Sequence, residues 1–155
     1  MGDVLKKRIQ QESFESPLQE ALLNLLVAAD HLKGRMERAC AEFGITGGQY
    51  NVLRILRGAH PLGHPRCEIA RRMIERSPDV TRLVDRLEKQ GLVERNRSAE
   101  DRRLSFTRIT PRGLALLESM EPRVAAQERD LAARLSVPDL QELSRICEKV
   151  YDEEV

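Results

Sequence analysis

The sequence is poor in aromatic residues, in cysteine and in long apolar runs. Its 155 residues include three Phe, two Tyr and no Trp, which predicts an aliphatic core and disfavours an aromatic platform for stacking single-stranded nucleic acid. Cys40, Cys67 and Cys147 form no CxxC pair, so no disulfide framework is indicated, in agreement with a reducing compartment. The longest plainly apolar run, residues 25–29, is too short to cross a bilayer.

Composition places the chain among globular proteins. Hydrophobic residues make up 41% and charged residues 33%, which is too apolar for a disordered chain and too charged for a membrane protein. The basic cluster at residues 6–8 is not followed by an apolar stretch, so no signal peptide is expected. We therefore expect a soluble, cytoplasmic protein with one compact domain, or one domain with dimerising arms.

The net charge of +1 conceals an uneven distribution. Residues 66–112 carry 13 basic and 8 acidic side chains, a net charge of +5, whereas residues 113–155 carry 5 and 10, a net charge of −5. A basic middle and an acidic end suggest a localised polyanion site in the middle. A basic face that serves only solubility remains an alternative.

Capping residues and apolar spacing predict six helices. Ser16-Pro17 opens the first, which is expected to end at Gly44, and a capping box at Thr46 and Gln49 opens the second. After a Gly/Pro-rich loop at 58–65, further helices are predicted at about 66–74, from Ser77-Pro78 to about 90, from Thr110-Pro111 to about 135, and after Ser136. Two strands at 92–97 and 104–109 flank a polar turn.

Two of these helices carry apolar stripes suited to burial against another helix. The first helix repeats apolar residues at spacings of three and four, and the last carries a shorter stripe of the same kind. The partner helix could belong to the same chain or to a second one. The two stripes are Leu18, Leu22, Leu25, Ala29, Leu32, Met36, Ala39 and Phe43, and Leu140, Leu143, Cys147 and Val150.

The fourth helix is the most informative element. Val80, Leu83, Val84 and Leu87 would face the core, and the opposite side carries Asp79, Arg82, Arg86 and Lys89, with Thr81 and Asp85 at the edges. Three helices followed by a strand pair with a basic turn is the order of a winged helix-turn-helix. A helix with arginines along its outer face suits a recognition helix in the major groove, because Arg can donate two hydrogen bonds to guanine. An ordinary surface helix would show the same amphipathic pattern.

The segment VTRLVDRLEKQGLVERNRSAEDRRLSFTRITPRGLALL at residues 80–117 strongly resembles the multiple antibiotic resistance regulator (MarR) family of transcription factors. The matching motifs are V-T-R-L-V-D-R-L-E, G-L-V-E-R, E-D-R-R and I-T-P-x-G. Looser matches at G-I-T-x-x-Q-Y-x-V-L and E-I-A-R-R, with the arm helices, extend the resemblance over nearly the whole chain. It implies a mainly α fold with a small β wing: an N-terminal dimerisation arm (1–44), a winged helix-turn-helix (45–112) and C-terminal dimerisation helices (113–155).

The resemblance also assigns DNA-contacting residues. The wing would place Arg103 in the minor groove, oriented by Asp101, with Arg102 on phosphate, because a guanidinium suits a narrow groove of enhanced negative potential. The recognition helix would contribute Ser77, Asp79, Thr81, Arg82 and Arg86, and Arg95, Arg97 and Arg108 would add backbone contacts. Asp79 would accept from a cytosine or simply hold an arginine.

Partners follow from the same resemblance. Two chains would intertwine their arms, presenting two recognition helices to half-sites about 10 bp apart on double-stranded DNA. Family members commonly bind phenolic or other lipophilic effectors in a cleft between the arms and the DNA-binding lobe, for which His31, Tyr50 and Arg54 are candidates here. No cofactor and no metal are expected.

Other functions are less well supported by the sequence. No G-x-S-x-G, P-loop or dinucleotide motif occurs, so an enzyme is not expected. A winged-helix module for dimerisation or protein contact, without DNA binding, is an alternative. His60, His64 and Cys67 could form a metal-sensing cluster, although Pro61 and Pro65 constrain that loop. Redox sensing through Cys40 is a further alternative, but its position on the apolar side of the first helix favours a core thiol.

Overall fold

The computed structural model describes residues 2–76, 79–97 and 105–152 and forms two compact units, residues 1–118 and 119–155. Within the described residues, no helix is long and apolar enough to span a membrane. The helices are α1 (Asp3–Ile9), α2 (Pro17–Ala41), α3 (Gly47–Gly58), α4 (Arg66–Arg72), α5 (Val80–Lys89), α6 (Pro111–Ala132) and α7 (Val137–Tyr151), and the strands are β1 (His64–Pro65), β2 (Val93–Arg97) and β3 (Ser105–Ile109).

The first unit is built around α5, which packs on α3, α4 and β2. Beside it, the strands form an antiparallel sheet in the order β1-β3-β2, with Arg95 of β2 opposite Thr107 of β3. The predicted mainly α fold with a small β wing is therefore confirmed. The buried apolar core of this unit consists mainly of Ala39, Cys40, Ile45, Val52, Leu53, Leu56, Ile69, Val84, Leu87, Leu92, Val93, Ile109 and Leu117.

The predicted helix starts are largely confirmed by their capping hydrogen bonds. Ser16 accepts from the backbone N–H of Gln19 at the start of α2. Thr46 and Gln49 form the predicted capping box of α3, and Ser136 forms a second capping box at α7. Such caps satisfy backbone donors that a helix leaves unpaired at its first turn.

Several boundaries differ from the sequence prediction. Helix α2 ends at Ala41 rather than Gly44, and α6 at Ala132 rather than about residue 135. Helix α5 begins at Val80 with Asp79 as its cap, so the predicted Ser77-Pro78 start is wrong, and those two residues lie outside the described part of the chain. Pro122 lies inside α6 without ending it.

Two short elements were not predicted. Helix α1 has seven residues, and β1 has two residues inside the segment predicted as a loop at 58–65. Strand β1 exists because His64 and Pro65 pair with Thr107 and Phe106 of β3, which lie more than 40 residues later in the chain. No local pattern in the sequence could indicate such a pairing.

Many apolar side chains of the two predicted stripes are exposed to solvent. On α2, Leu18, Leu22 and Leu32 are exposed, while Ala39 at the other end of the helix is buried. On α7, taken by itself, every residue from 137 to 151 is at least partly exposed. The exposed apolar side chains of α7 are Val137, Leu140, Leu143, Ile146, Val150 and Tyr151.

The start of α6 makes a close backbone approach to the base of the sheet. Thr110 donates a hydrogen bond from its hydroxyl to the carbonyl of Gly91 (2.8 Å) and accepts one from the N–H of Gly113 (3.1 Å). A Cβ at Gly113 would collide with the carbonyl oxygen of Leu92 and would lie 2.7 Å from Cγ1 of Ile109. Gly113 therefore lets α6 contact the backbone that leads into β2.

We expect Gly113→Ala to lower the free energy of unfolding by about 2 kcal/mol or more, because the added methyl group forces a backbone shift in a packed region. Gly58→Ala is the matched control, since Gly58 is also helical and its Cβ would meet no atom within 4 Å. The control should be neutral or stabilising by up to about 1 kcal/mol. Urea unfolding of both variants measures the difference. Equal effects would contradict the close approach.

Candidate nucleic-acid interface

Helix α5 presents two chemically distinct faces, as its sequence predicted. Val80, Val84 and Leu87 are buried, and Leu83 is half-buried. Thr81, Arg82 and Arg86 are exposed on the other side. Burial of the apolar face fixes the rotation of the helix, and this rotation directs the arginines to solvent.

Asp79 has a structural role at the start of α5. Its carboxylate accepts a hydrogen bond from the backbone N–H of Arg82 (3.3 Å) and forms an ion pair with Nε of Arg82 (3.3 Å). A carboxylate at this position also interacts favourably with the helix dipole. Of the two sequence-based roles for Asp79, the geometry matches the one in which it holds an arginine.

The segment that follows α4 is tied to neighbouring elements. Before α5, the N–H of Ile74 donates to Oδ1 of Asn51 on α3 (2.9 Å), and Glu75 forms an ion pair with Lys33 on α2 (2.8 Å). The hydrogen bond that Lys33 donates to Glu75, together with the negative charge of Glu75, raises the pKa of Lys33.

At the far end of α5, Gln90 accepts from Gln49 (3.3 Å) and donates to the carbonyl of Gly44 (3.2 Å). This end of α5 is thus held to α3 and to the turn between α2 and α3.

The strand arginines are partly engaged within the protein. Arg95 on β2 pairs with Asp85 and with Glu88 of α5. Arg108 on β3 donates from Nε to the carbonyl of Leu62 (3.1 Å). Arg97 ends β2. The predicted wing residues Asp101, Arg102 and Arg103, like Ser77, lie outside the described residues.

Sequence reasoning missed Arg66, the first residue of α4. Its Nη1 donates to the hydroxyl of Thr81 on α5 (3.2 Å), which places an exposed cation of α4 beside α5. The pattern could have suggested this residue only as one basic side chain among many, because its proximity to Thr81 depends on how α4 packs on α5. Both residues line a cavity of about 440 Å³ together with Pro65, Cys67, Val84, Arg95, Ser105 and Thr107.

The candidate effector residues lie on two helices of the first unit. His31 on α2 and Arg54 on α3 are exposed, and Tyr50 is half-buried. The guanidinium of Arg54 lies 6.0 Å from the centre of the Tyr50 ring, a cation–π distance.

The structure bears on the two sensing sites considered from the sequence, a reactive Cys40 and a metal-binding cluster. Cys40 is buried, and this burial, with a smaller contribution from Glu37, raises the pKa of its thiol to about 11. The thiol is therefore protonated near neutral pH, which disfavours a reactive thiolate. Across residues 2–76, 79–97 and 105–152, no group of three or more His, Cys, Asp or Glu side chains is arranged to hold a metal ion.

Comparisons with known proteins agree on one family. The model of the MarR family matches residues 45–105. A MarR transcription factor from Planctomyces limnophilus has a solved structure that is 39% identical, with a TM-score of 0.68 over 88% of this chain and 98% of that one. A protein of Thauera aromatica that is named for transcriptional regulation of the hcr operon is 31% identical over 70% of this chain. The matched segment spans 64% of that relative's length.

A likeness at lower identity supports the fold. The S. aureus MepR–DNA complex is 23% identical, with a TM-score of 0.75 over 91% of this chain and 98% of that one.

We expect Asp79→Ala to lower the free energy of unfolding by about 1 kcal/mol, because the cap of α5 is lost. Asp79→Asn is the matched control, since an Asn side chain caps about as well as Asp and the exposed ion pair with Arg82 contributes little. Urea unfolding should therefore separate the two variants. If they are destabilised equally, the capping hydrogen bond is not the main role of Asp79.

Proposed function

The chain belongs to the MarR family of transcription regulators, and we propose that it is a ligand-responsive repressor that binds a pseudo-palindromic DNA operator as a homodimer in the cytoplasm. The observation that carries this proposal is the exposed face of α5, where Arg82 and Arg86 face solvent and Arg66 of α4 donates a hydrogen bond to Thr81. A fixed helix with cations on its outer face is what major-groove recognition requires.

Each group of residues has a distinct role in this proposal. Arg82 and Arg86 read base edges in the major groove, with Thr81 beside them. Arg103 enters the minor groove, where Asp101 orients it, and Arg102 contacts phosphate. Arg97 and Arg108 lie on the strands of the wing and add phosphate contacts, which position the protein without reading sequence.

The homodimer is supported by exposed apolar side chains. Exposed leucines and other aliphatic residues recur along α7, and leucines of α2 are exposed over its first turns. Apolar side chains that are exposed along a helix in this way mark an interaction site. A second copy of the chain would cover it and would place two recognition helices on successive half-sites.

Ligand response is the second part of the proposal. A small phenolic or other lipophilic effector would bind near His31, Tyr50 and Arg54, where an aromatic ring and a guanidinium lie together. Such a ligand changes DNA binding only to the extent that it binds the DNA-competent and the incompetent conformations with different affinities.

We expect Arg82→Ala, Arg86→Ala and Arg103→Ala each to weaken binding to the DNA that flanks the protein's own gene, by about 1–3 kcal/mol where a base contact is lost. Arg129→Ala is the control, because it removes the same charge from an exposed position on the second part of α6. Fluorescence anisotropy measures affinity at several salt concentrations, and wild-type affinity should fall steeply with salt.

Two results would refute DNA recognition by these residues. One is wild-type binding no tighter to the flanking DNA than to a random duplex, which would favour a winged-helix module used only for protein contact. The other is unchanged affinity in all three variants.

We expect Leu143→Asp to convert a dimer into a monomer, because a charge in an apolar interface is buried without a partner. Gln141→Asp introduces the same charge at an exposed polar position of the same helix and should leave the dimer intact. Light scattering after size-exclusion chromatography measures the mass of each variant. A monomeric wild-type protein would exclude the homodimer.

A further inference from the structure

We infer that Arg95 is a positioning residue rather than a residue that contacts DNA. With Asp85 and Glu88 it forms a clamp that holds the stem of the wing, strands β2 and β3, against the recognition helix α5. The inference rests on the proposed DNA-binding function but assigns Arg95 a role different from the one predicted from the sequence. The observation behind it is that one guanidinium, on β2, meets two carboxylates of α5.

The contacts show how the clamp is made. Nη2 of Arg95 bonds to Oδ1 of Asp85, and Nη1 lies 3.2 Å from Oε2 of Glu88. Because Asp85 and Glu88 are three residues apart on a helix, both carboxylates lie on the same side of α5. The planar fork of a guanidinium is suited to holding two acceptors at once, which a lysine ammonium does less well.

The charges around Arg95 argue against a phosphate contact. The single positive charge is matched by two negative ones, so the three side chains together carry a net charge of −1. A DNA phosphate approaching Arg95 would be repelled by Asp85 and Glu88. The side chain of Arg95 is also only 36% exposed, whereas that of Arg82 is 79% exposed.

The position of Arg95 along β2 explains why a clamp matters. The start of the strand is held by its buried residue Val93, but Glu94 is already exposed and Asn96 is only half-buried. Strand β2 is also at the edge of the sheet, paired only with β3. The clamp therefore holds the part of β2 beyond Val93 at a fixed distance from α5. Under the proposed function, this distance sets the spacing between the wing and α5 when they enter adjacent DNA grooves.

The clamp and simple electrostatics predict opposite results for one variant. Replacing both carboxylates in Asp85→Asn/Glu88→Gln removes two negative charges from a DNA-binding face, which by charge alone should tighten binding. We expect instead a loss of about three- to tenfold in affinity, the range for losing a small network of ion pairs. Glu94→Gln, on the same strand but outside the clamp, should bind DNA as tightly as wild type or more tightly.

Two further measurements separate positioning from direct contact and from general destabilisation. Arg95→Ala should weaken DNA binding without changing the dependence on salt, whereas loss of a phosphate contact lowers that slope by about 1. When Arg103 is already replaced by Ala, adding Asp85→Asn/Glu88→Gln should cause no further loss of DNA affinity. The reason is that the clamp acts by positioning the wing, whose minor-groove contact is then already absent. The melting temperatures of the variants should stay close to that of wild type.

Hydrogen exchange of the free protein tests the clamp without DNA. The amides of β2 and β3 should exchange faster in Asp85→Asn/Glu88→Gln than in wild type or Glu94→Gln. Unchanged exchange, or tighter DNA binding by the double variant, would overturn the clamp. Absence of specific DNA binding by the wild-type protein would instead refute the proposed function, and the exchange result would still decide whether the clamp exists.

Discussion

Burial of the apolar face of α5 is the interaction on which the rest of the DNA-binding unit depends. Val84 and Leu87 are almost completely buried in a helix that packs on α3, α4 and β2. Once these side chains are inside, Arg82 and Arg86 can only face solvent, since they lie on the opposite side of the same helix. The same packing brings Arg66 to Thr81 and Arg95 to the carboxylates of α5, so the polar geometry of the interface follows from the apolar core.

Around this core, acidic side chains divide the arginines into two groups. Asp85 and Glu88 engage Arg95, so this guanidinium group connects β2 to α5. Arg82 keeps most of its surface exposed although it is paired with Asp79. A net charge of +5 over residues 66–112 therefore overstates the number of arginines that are free to meet DNA.

Close backbone contacts set where the wing begins. Gly63 has a φ of +77°, and a Cβ there would collide with the carbonyl oxygen of Thr107 on β3. Gly113 allows a similar approach of α6 to Leu92. The glycine of the I-T-P-x-G motif thus has a packing reason, and the threonine of that motif caps the helix and bonds to Gly91. Together these contacts fix both strands of the wing relative to the helices.

Features that depend on local spacing could be predicted from the amino-acid sequence. Helical periodicity, capping residues such as Thr46 and Ser136, the family motifs, and the division of α5 into an apolar and a basic face could all be read from neighbouring residues. Contacts between residues far apart in the chain could not be read in this way: the pairing of β1 with β3, the approach of Arg66 to Thr81 and the clamp on Arg95. Even the cap of α5 is predicted at Ser77 instead of Asp79, because Ser77-Pro78 repeats the cap-plus-proline pattern of Ser16-Pro17 at the start of α2. These points depend on three-dimensional packing: charge and spacing indicate which groups can interact, whereas packing determines which of them meet.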